Sequence, residues 1–235
     1  MNRFRQCLEK VLNHLNIAFS SEQIAMADAF RQILLRENEK MNLTAIVDDD
    51  EIALKHFGDS LCLLKYGALK ERATLIDIGS GPGFPGLALK IFRPDLRITL
   101  MDSLAKRCHF LEKTAKVLEL PNLTVLCCRA EEAGRDHDHR EQYDYATARA
   151  VATLPVLLEY ALPLLKAGGE FLPLKGKAEE QHPGHALEIL CGTIDNEYHY
   201  NLMGQGERTI YRIKKIGPTP EKYPRRVGKP GKSPL

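Results

Sequence analysis

Short apolar runs that alternate with helix-length segments characterise the chain from residue 73 onward. The apolar runs lie at 73–78, 97–102, 123–127, 143–148 and 169–174. The helix-length segments lie among them at 85–92, 103–119 and 153–166. Strands that alternate with helices form a parallel sheet with both faces covered, and strands buried in this way are almost wholly apolar. The pattern therefore predicts an α/β fold.

Two further candidate strands, 193–202 and 208–215, end this region. Residues 203–207 are too few to form a crossover helix between them, so the two strands must pair as an antiparallel hairpin. A parallel sheet that ends in an antiparallel hairpin is the Rossmann-like plan of class I S-adenosylmethionine-dependent methyltransferases. The plain dinucleotide-binding fold lacks the reversed last strand.

A glycine-rich segment, DIGSGPGFPG at 77–86, follows the first predicted strand and opens the next helix. Gly79, Gly81 and Gly83 allow the backbone to turn sharply and to approach a ligand closely, so they are candidate cofactor-binding residues. Gly81, Gly83 and Gly86 also satisfy the GxGxxG pattern of dinucleotide-binding proteins. The loop by itself leaves two ligands open, S-adenosylmethionine and a nicotinamide dinucleotide.

Two carboxylates accompany this loop. Asp77 precedes the first glycine, where class I methyltransferases carry an acidic residue near the amino acid part of the ligand. Asp102 ends the second predicted strand, where a carboxylate can accept hydrogen bonds from both ribose hydroxyls in methyltransferases and dehydrogenases alike. Ser103 is expected to cap the next helix. Asp77 and the hairpin favour S-adenosylmethionine, and Asp102 supports a nucleoside ligand in either case.

The first part of the chain has helical spacing. Ser20 is a candidate N-cap with Gln23 three residues later, as in a capping box, and 51–66 repeats the helical pattern. A further helix is expected near 177–190, interrupted by its Pro and Gly. We divide the chain into a helical extension (1–70), a methyltransferase domain (71–216) and a basic tail rich in Pro and Gly (217–235).

Charge is distributed unevenly along the chain. The net charge is +2, yet 207–235 holds nine Lys or Arg and two Glu, so the rest of the chain is mildly acidic. A concentrated basic end suggests a polyanionic partner, although a solvated tail has the same composition. The many Pro and Gly residues predict an extended tail.

Composition argues against a membrane protein, a secreted protein and a metal-binding protein. Hydrophobic residues make up 44% and charged residues 27%, which is ordinary for a globular protein, and no run is long enough to suggest a membrane span. The first residues are charged and lack the apolar stretch of a signal peptide, so we expect a cytoplasmic protein. The six cysteines show neither paired nor zinc-ligand spacing, and we expect no metal.

Several segments resemble the RsmG (GidB) family in their order along the chain. The matching segments are NLTAI (42–46), HFGDS (56–60), the glycine loop, RAEE (129–132), ARAVA (148–152), LKGK (174–177) and YPRRVGKPGKSPL (223–235). The resemblance covers the chain from about residue 38 onward, and it implies methylation of guanine nitrogen 7 in 16S ribosomal RNA with S-adenosylmethionine as donor. It also implies that 16S ribosomal RNA or the small ribosomal subunit is the partner, and we expect a monomer.

The resemblance further implies roles for individual residues. The cofactor positions that it implies are Gly79, Phe84, Ala130, Glu131 and Arg149. Arg149, just past the fourth predicted strand, and Lys175, at the end of the fifth, lie at the sheet edge where ligands bind, so they are candidates for the methyl-transfer site, with Lys175 also contacting RNA. The other candidate RNA contacts are Asn42, His56, Arg225, Arg226, Lys229 and Lys232.

Alternatives remain at several of these positions. Glu131 and Lys175 could be surface residues, Asn42 could bond its own backbone, and His56 could belong to a helix-surface cluster. A small-molecule methyltransferase is the nearest rival function. A nicotinamide-dependent oxidoreductase and a non-catalytic RNA-binding module are more distant ones.

Overall fold

A computed structural model describes residues 2–176 and 183–235, and these ranges contain a seven-stranded mixed sheet. Its strands are β1 (Thr74–Ile78), β2 (Arg97–Asp102), β3 (Leu123–Cys127), β4 (Tyr143–Arg149), β5 (Leu165–Lys175), β6 (Gly192–Asn201) and β7 (Glu207–Lys215). They lie in the order β3-β2-β1-β4-β5-β7-β6. β1 to β5 are parallel, whereas β7 is antiparallel to both β5 and β6. The predicted parallel sheet with a terminal hairpin is confirmed.

Helices cover the sheet and precede it. In the first part of the chain they are α1 (Arg3–Leu15), α2 (Ser21–Met41), α3 (Asp49–Glu51), a π-helical turn (Ile52–Gly58) and α4 (Asp59–Tyr66). Between and after the strands they are α5 (Gly86–Phe92), α6 (Ala105–Val117), α7 (Ala130–Ala133), α8 (Leu154–Ala161), α9 (Ala186–Ile189) and α10 (Lys229–Lys232). A 3-10 turn, Leu162–Leu164, links α8 to β5. Among the described helices, none combines the length and apolar character needed to cross a membrane.

The helical extension shares a core with the sheet. The capping box at Ser20 and Gln23 is present, which fixes the start of α2. Phe4 and Phe30 of the extension belong to the same buried cluster as Leu100 and Leu172 of the strands. The extension therefore packs against the sheet as part of one hydrophobic core rather than as an appendage.

One predicted helix is shorter than expected. The apolar run 153–166 was predicted to be wholly helical, but α8 ends at Ala161 and β5 already begins at Leu165. Pro163 explains the early end, because proline has no N–H to donate to the carbonyl four residues earlier. The helix predicted near 177–190 lies partly at 177–182, outside the described residues, and within the described part α9 begins after Pro183 and Gly184.

The C-terminal tail folds back on the domain, unlike the extended segment predicted from its composition. Arg140 donates to the carbonyls of Thr219 and Tyr223, and Arg135 donates to the carbonyl of Pro224. Pro230 in α10 is buried. These contacts hold the tail backbone against α7 and the segment after it.

Candidate functional site

The glycine-rich loop joins β1 to α5 at the carboxyl edge of the sheet. The N–H groups of Gly79 and Ser80 both donate to the carbonyl of Met101, which fixes the loop against the end of β2. Gly79 and Gly81 have φ values of +72° and +53°, a region that favours glycine. Gly81 is buried, but a Cβ there would meet nothing closer than 3.9 Å, so there is space beside its backbone.

Asp102 lies beside this loop. Its Oδ2 accepts the N–H of Gly81 at 3.0 Å, and its Oδ1 accepts the N–H of Leu104 at 2.9 Å. The expected cap at Ser103 is wrong: Leu104 is the N-cap of α6, and no side chain makes a capping hydrogen bond there. The hydrogen bonds from Gly81 and Leu104 hold Asp102 in one orientation at the end of β2.

A cleft opens in front of the loop. It brings together Gly79, Asp102, Ala130 and Glu131, four of the residues predicted to bind cofactor, and its lining also includes Ile78, Met101, Ser103, Cys128, Arg129, Val151 and Tyr160. The space beside the loop backbone and the fixed carboxylate suit a ligand with a ribose, so these residues fit S-adenosylmethionine. Val151 lies in the matching segment ARAVA but was not singled out as a site residue, and no local pattern marks Tyr160. Only the fold brings them to the cleft.

Other predicted cofactor residues lie outside this lining. Gly83 faces Leu87 and Phe30 in the core, and Phe84 is buried against the extension. Arg149 lines a second pocket instead. The described residues contain no cluster of three or more His, Cys, Asp or Glu that could hold a metal ion.

Glu131 joins the cleft to the C-terminal tail. Its side chain is buried, which rules out a freely solvated surface carboxylate. Its Oε1 accepts the N–H of Gly228 at 2.9 Å. The tail backbone thus sets the orientation of a carboxylate that lines the cleft.

Asp77 lies beneath the loop and is fully buried. Its Oδ2 accepts the N–H of Gly86 at 2.9 Å, while its Oδ1 has no hydrogen-bond partner among the described residues. Burial raises the pKa of Asp77 to about 6, because an ionised carboxylate loses its hydration there. Asp77 therefore supports the loop from below and does not line the cleft directly.

This pKa predicts a pH dependence of stability. Because the folded protein holds the Asp77 proton up to a higher pH than the unfolded chain does, the free energy of unfolding should fall as pH rises from about 4 to about 6. The contribution is on the order of 3 kcal/mol. Asp77→Asn should remove this fall, as measured by urea unfolding across that range. Asp138→Asn, which changes an exposed carboxylate, is the control, and parallel curves for wild type and Asp77→Asn would contradict the assignment.

The second pocket lies between the extension, the ends of β4 and β5, and the hairpin. It encloses about 480 Å³ and is lined by Ile46, Lys55, His56, Asp59, Arg149, Ala150, Leu174, Lys175, Gly176, Tyr200 and Arg208. It brings together Arg149, Lys175 and His56 of the predicted residues. Because Arg149 and Ala150 line this pocket and Val151 lines the cleft, the segment after β4 borders both.

Arg149 is held by the π-helical turn. Its guanidinium donates to the Lys55 carbonyl at 2.9 Å and to His56 Nδ1 at 3.0 Å, and it lies over the Phe84 ring at 5.4 Å. A guanidinium only donates, so His56 carries its proton on Nε2 and donates it to Thr44 Oγ1 at 2.9 Å. Burial and the neighbouring Arg149 charge lower the pKa of His56 to about 3. His56 is therefore a neutral, buried support for Arg149 and not part of a solvated helix surface.

His56 also packs against the glycine loop. Its ring stacks on Phe84 with centroids 4.6 Å apart. The stack explains why Phe84 points away from the cleft: it fills the space between the loop and the extension. Through this stack the extension, Arg149 and the cofactor loop form one continuous set of contacts.

The other predicted RNA contacts are differently placed. Lys175 donates to the carbonyl of Ala152, at the pocket wall. Asn42 is exposed, has left-handed backbone (φ +50°) and forms the C-cap of α2, outside the pocket lining. Arg225 pairs with the fully buried Glu159, at 2.6 Å between Nη2 and Oε2.

The three remaining predicted tail cations, Arg226, Lys229 and Lys232, are exposed. Arg226 precedes Gly228 in the chain, and Lys229 and Lys232 follow it. Gly228 is the residue whose N–H contacts Glu131. Their charges are therefore displayed near the cofactor cleft.

The strand order, the reversed β7 and the cleft at the carboxyl ends of β1 and β2 define a class I S-adenosylmethionine-dependent methyltransferase. Solved structures of this class share the fold. One is "M. jannaschii TYW2 in complex with AdoMet", which aligns with a TM-score of 0.51 and 13% identity over 63% of this chain and 71% of its own. At that identity the likeness concerns the fold alone.

The sequence comparisons identify the family. The family model described as "rRNA small subunit methyltransferase G" (GidB) matches residues 23–210. "Ribosomal RNA small subunit methyltransferase G" of Acetivibrio thermocellus is 45% identical over 99% of this chain and 97% of its own length. The protein of the same name from Desulfitobacterium hafniense is 47% identical over 94% and 93%. The chain belongs to the GidB family, and the resemblance noted in the sequence is confirmed.

Proposed function

We propose that the protein transfers a methyl group from S-adenosylmethionine to nitrogen 7 of a guanine in 16S ribosomal RNA. The observation that carries the proposal is the segment 149–151, which borders the cofactor cleft on one side and the second pocket on the other. A base in that pocket would lie next to the cleft. The names of the relatives support ribosomal RNA as the substrate class.

Methyl transfer to guanine nitrogen 7 does not need a general acid or base. When bound, S-adenosylmethionine supplies a sulfonium methyl group that is already activated. Guanine nitrogen 7 has a free lone pair at neutral pH, so the new N–C bond forms as the S–C bond breaks and no proton has to be removed. The protein has to align donor and acceptor and exclude water, so catalysis is mainly proximity and orientation.

Arg149 is suited to that alignment. Its position is fixed by the Lys55 carbonyl and His56, so little orientational freedom remains to be lost in the reaction. We propose that Arg149 orients the reacting groups at the border between the cofactor cleft and the second pocket. Lys175, at the end of β5 in the same pocket, is our second candidate for contacting the base or its phosphate.

RNA binding would draw on the exposed cations of the tail. Arg226, Lys229 and Lys232 are suited to phosphate contacts, whereas Arg225 is engaged by Glu159. Asn42 is retained only as a peripheral contact, because it lies outside the pocket. We also propose the division at residues 70 and 216, which separates the helical extension, the methyltransferase domain and the basic tail.

The test is methyl transfer from labelled S-adenosylmethionine to small ribosomal subunits, or to their RNA, lacking the native modification. We expect one 7-methylguanine in 16S ribosomal RNA, mapped by mass spectrometry. Fully modified subunits serve as the control and should accept no label. Cofactor binding without transfer to RNA or subunits would overturn the substrate and favour a small-molecule acceptor.

A further inference from the structure

One corner of the second pocket contains polar atoms without partners. Asp59 begins α4, and its side chain is 11% exposed. Its Oδ2 makes a long contact of 3.4 Å with Arg208 Nε, and its Oδ1 accepts no hydrogen bond from any described residue. The hydroxyl of Tyr200, which lines the same pocket, is likewise without a partner in the described part of the chain.

The Asp59 carboxylate has too few hydrogen-bond donors around it. Buried polar groups in proteins are nearly always hydrogen-bonded, and a buried unpartnered acceptor costs about 1–3 kcal/mol. Burial accordingly raises the pKa of Asp59, although Arg208 and Arg149 oppose that rise. A ligand that brings two N–H donors to this corner would relieve the deficit.

The chemistry of the corner selects among the bases. Guanine is the base whose Watson–Crick edge carries two adjacent donors, N1–H and the N2 amino group, and a carboxylate accepts both with its two oxygens. Adenine and cytosine present a donor beside an acceptor, and uracil presents a single N–H between two carbonyls. Proteins that modify a base read this edge after the base has left the stack.

The placement of Asp59 agrees with this selection. Asp59 lies one helical turn after His56, which accepts a hydrogen bond from Arg149, and it contacts Arg208 on β7. Guanine carries nitrogen 7 on its Hoogsteen edge, which adjoins the Watson–Crick edge at O6. With the Watson–Crick edge at Asp59, nitrogen 7 would be free to face the segment 149–151, which borders the cofactor cleft.

We propose that Asp59 reads the Watson–Crick edge of the target guanine and so determines the base specificity of the second pocket. This inference rests on the proposed function and names a recognition residue for it. Ile46 and Leu174 supply apolar wall, and Tyr200 offers its hydroxyl beside the base. Arg208, which also lines the pocket, contacts the carboxylate at 3.4 Å.

The experiment compares target bases in the full chain. Splint-ligated 16S ribosomal RNA carrying guanosine, inosine or 1-methylguanosine at the methylated position is assayed for methyl transfer, as RNA or after assembly into subunits. Inosine lacks the N2 amino group and 1-methylguanosine lacks N1–H, but both keep nitrogen 7. For the wild type we expect kcat/KM to fall about 10- to 150-fold with either analogue, as for loss of a hydrogen bond to a charged group.

Two variants separate recognition from structure. Asp59→Asn should lose most of the preference for guanosine over inosine, whereas Arg208→Gln, which breaks the ion pair but keeps the carboxylate, should retain it. Cofactor affinity, measured by calorimetry, should stay within about twofold of wild type in both. A merely structural role would lower the rates on guanosine and inosine by the same factor.

The outcomes are distinct. Equal wild-type rates on guanosine and inosine would overturn the role of Asp59 even if Asp59→Asn failed to fold. So would an unchanged preference in Asp59→Asn. An enzyme that methylates no RNA with guanosine at this position would instead refute the proposed function itself.

Discussion

Replacing Gly81 by aspartate is expected to lower the affinity for S-adenosylmethionine by at least about 100-fold. Gly81 has a φ of +53°, which an aspartate adopts only with strain. The added carboxylate would also stand next to Asp102, which Gly81 already contacts through its N–H. Strain and like charge would therefore act together in the loop whose Gly79 lines the cleft. Isothermal titration calorimetry measures the effect.

Gly204 supplies the matched control. It lies in the turn between β6 and β7 with a φ of +81°, and a Cβ there would meet nothing within 4 Å. Gly204→Asp thus introduces the same residue at a similarly strained position, away from the cleft. We expect it to bind cofactor like the wild type. Undiminished binding by Gly81→Asp would remove this loop from the cofactor site.

Replacing Arg225 by alanine is expected to destabilise the fold by about 3–5 kcal/mol. Glu159 is fully buried, and Arg225 supplies its backbone N–H, Nε and Nη2 to that carboxylate. Alanine retains only the backbone N–H, so the carboxylate would keep its desolvation without its counter-charge. The free energy of unfolding, measured with urea, reports the change.

The neighbouring residue distinguishes this effect from general loss of charge. Arg226 is exposed, and Arg226→Ala should change the free energy of unfolding by less than about 0.5 kcal/mol. Removing both partners, in Arg225→Met with Glu159→Leu, should recover much of the loss because no buried charge remains. If the two arginine variants proved equally stable, the Arg225–Glu159 pair would not anchor the tail.

Local patterns predicted the sheet well. Short apolar runs identified the strands, and the five-residue gap required a hairpin whose reversed strand the structure contains. Ser20 was recognised as a cap because the interactions of a capping box lie within four residues. These features depend on neighbours in sequence, so the sequence alone reveals them.

Features that depend on distant contacts were not predictable in the same way. Helical spacing at 51–66 suggested an ordinary helix, and nothing local indicated that a π-helical turn would hold Arg149, 93 residues away from His56. The tail was expected to extend because composition does not reveal that Glu159 is buried beneath it. Asp59 figured in the sequence only as part of the matching segment HFGDS, since its unpartnered oxygen exists only in the folded chain.

The packing of the extension affects how the protein unfolds locally. Phe4, Phe30 and Phe57 form a chain of aromatic contacts that continues through Phe84 into the glycine loop. Loosening α1 would therefore disturb the backbone that receives the cofactor, although the two are far apart in sequence. Ligand binding and cohesion of the N-terminal helices are thus thermodynamically linked, so occupancy of the cleft should protect the first helices against opening.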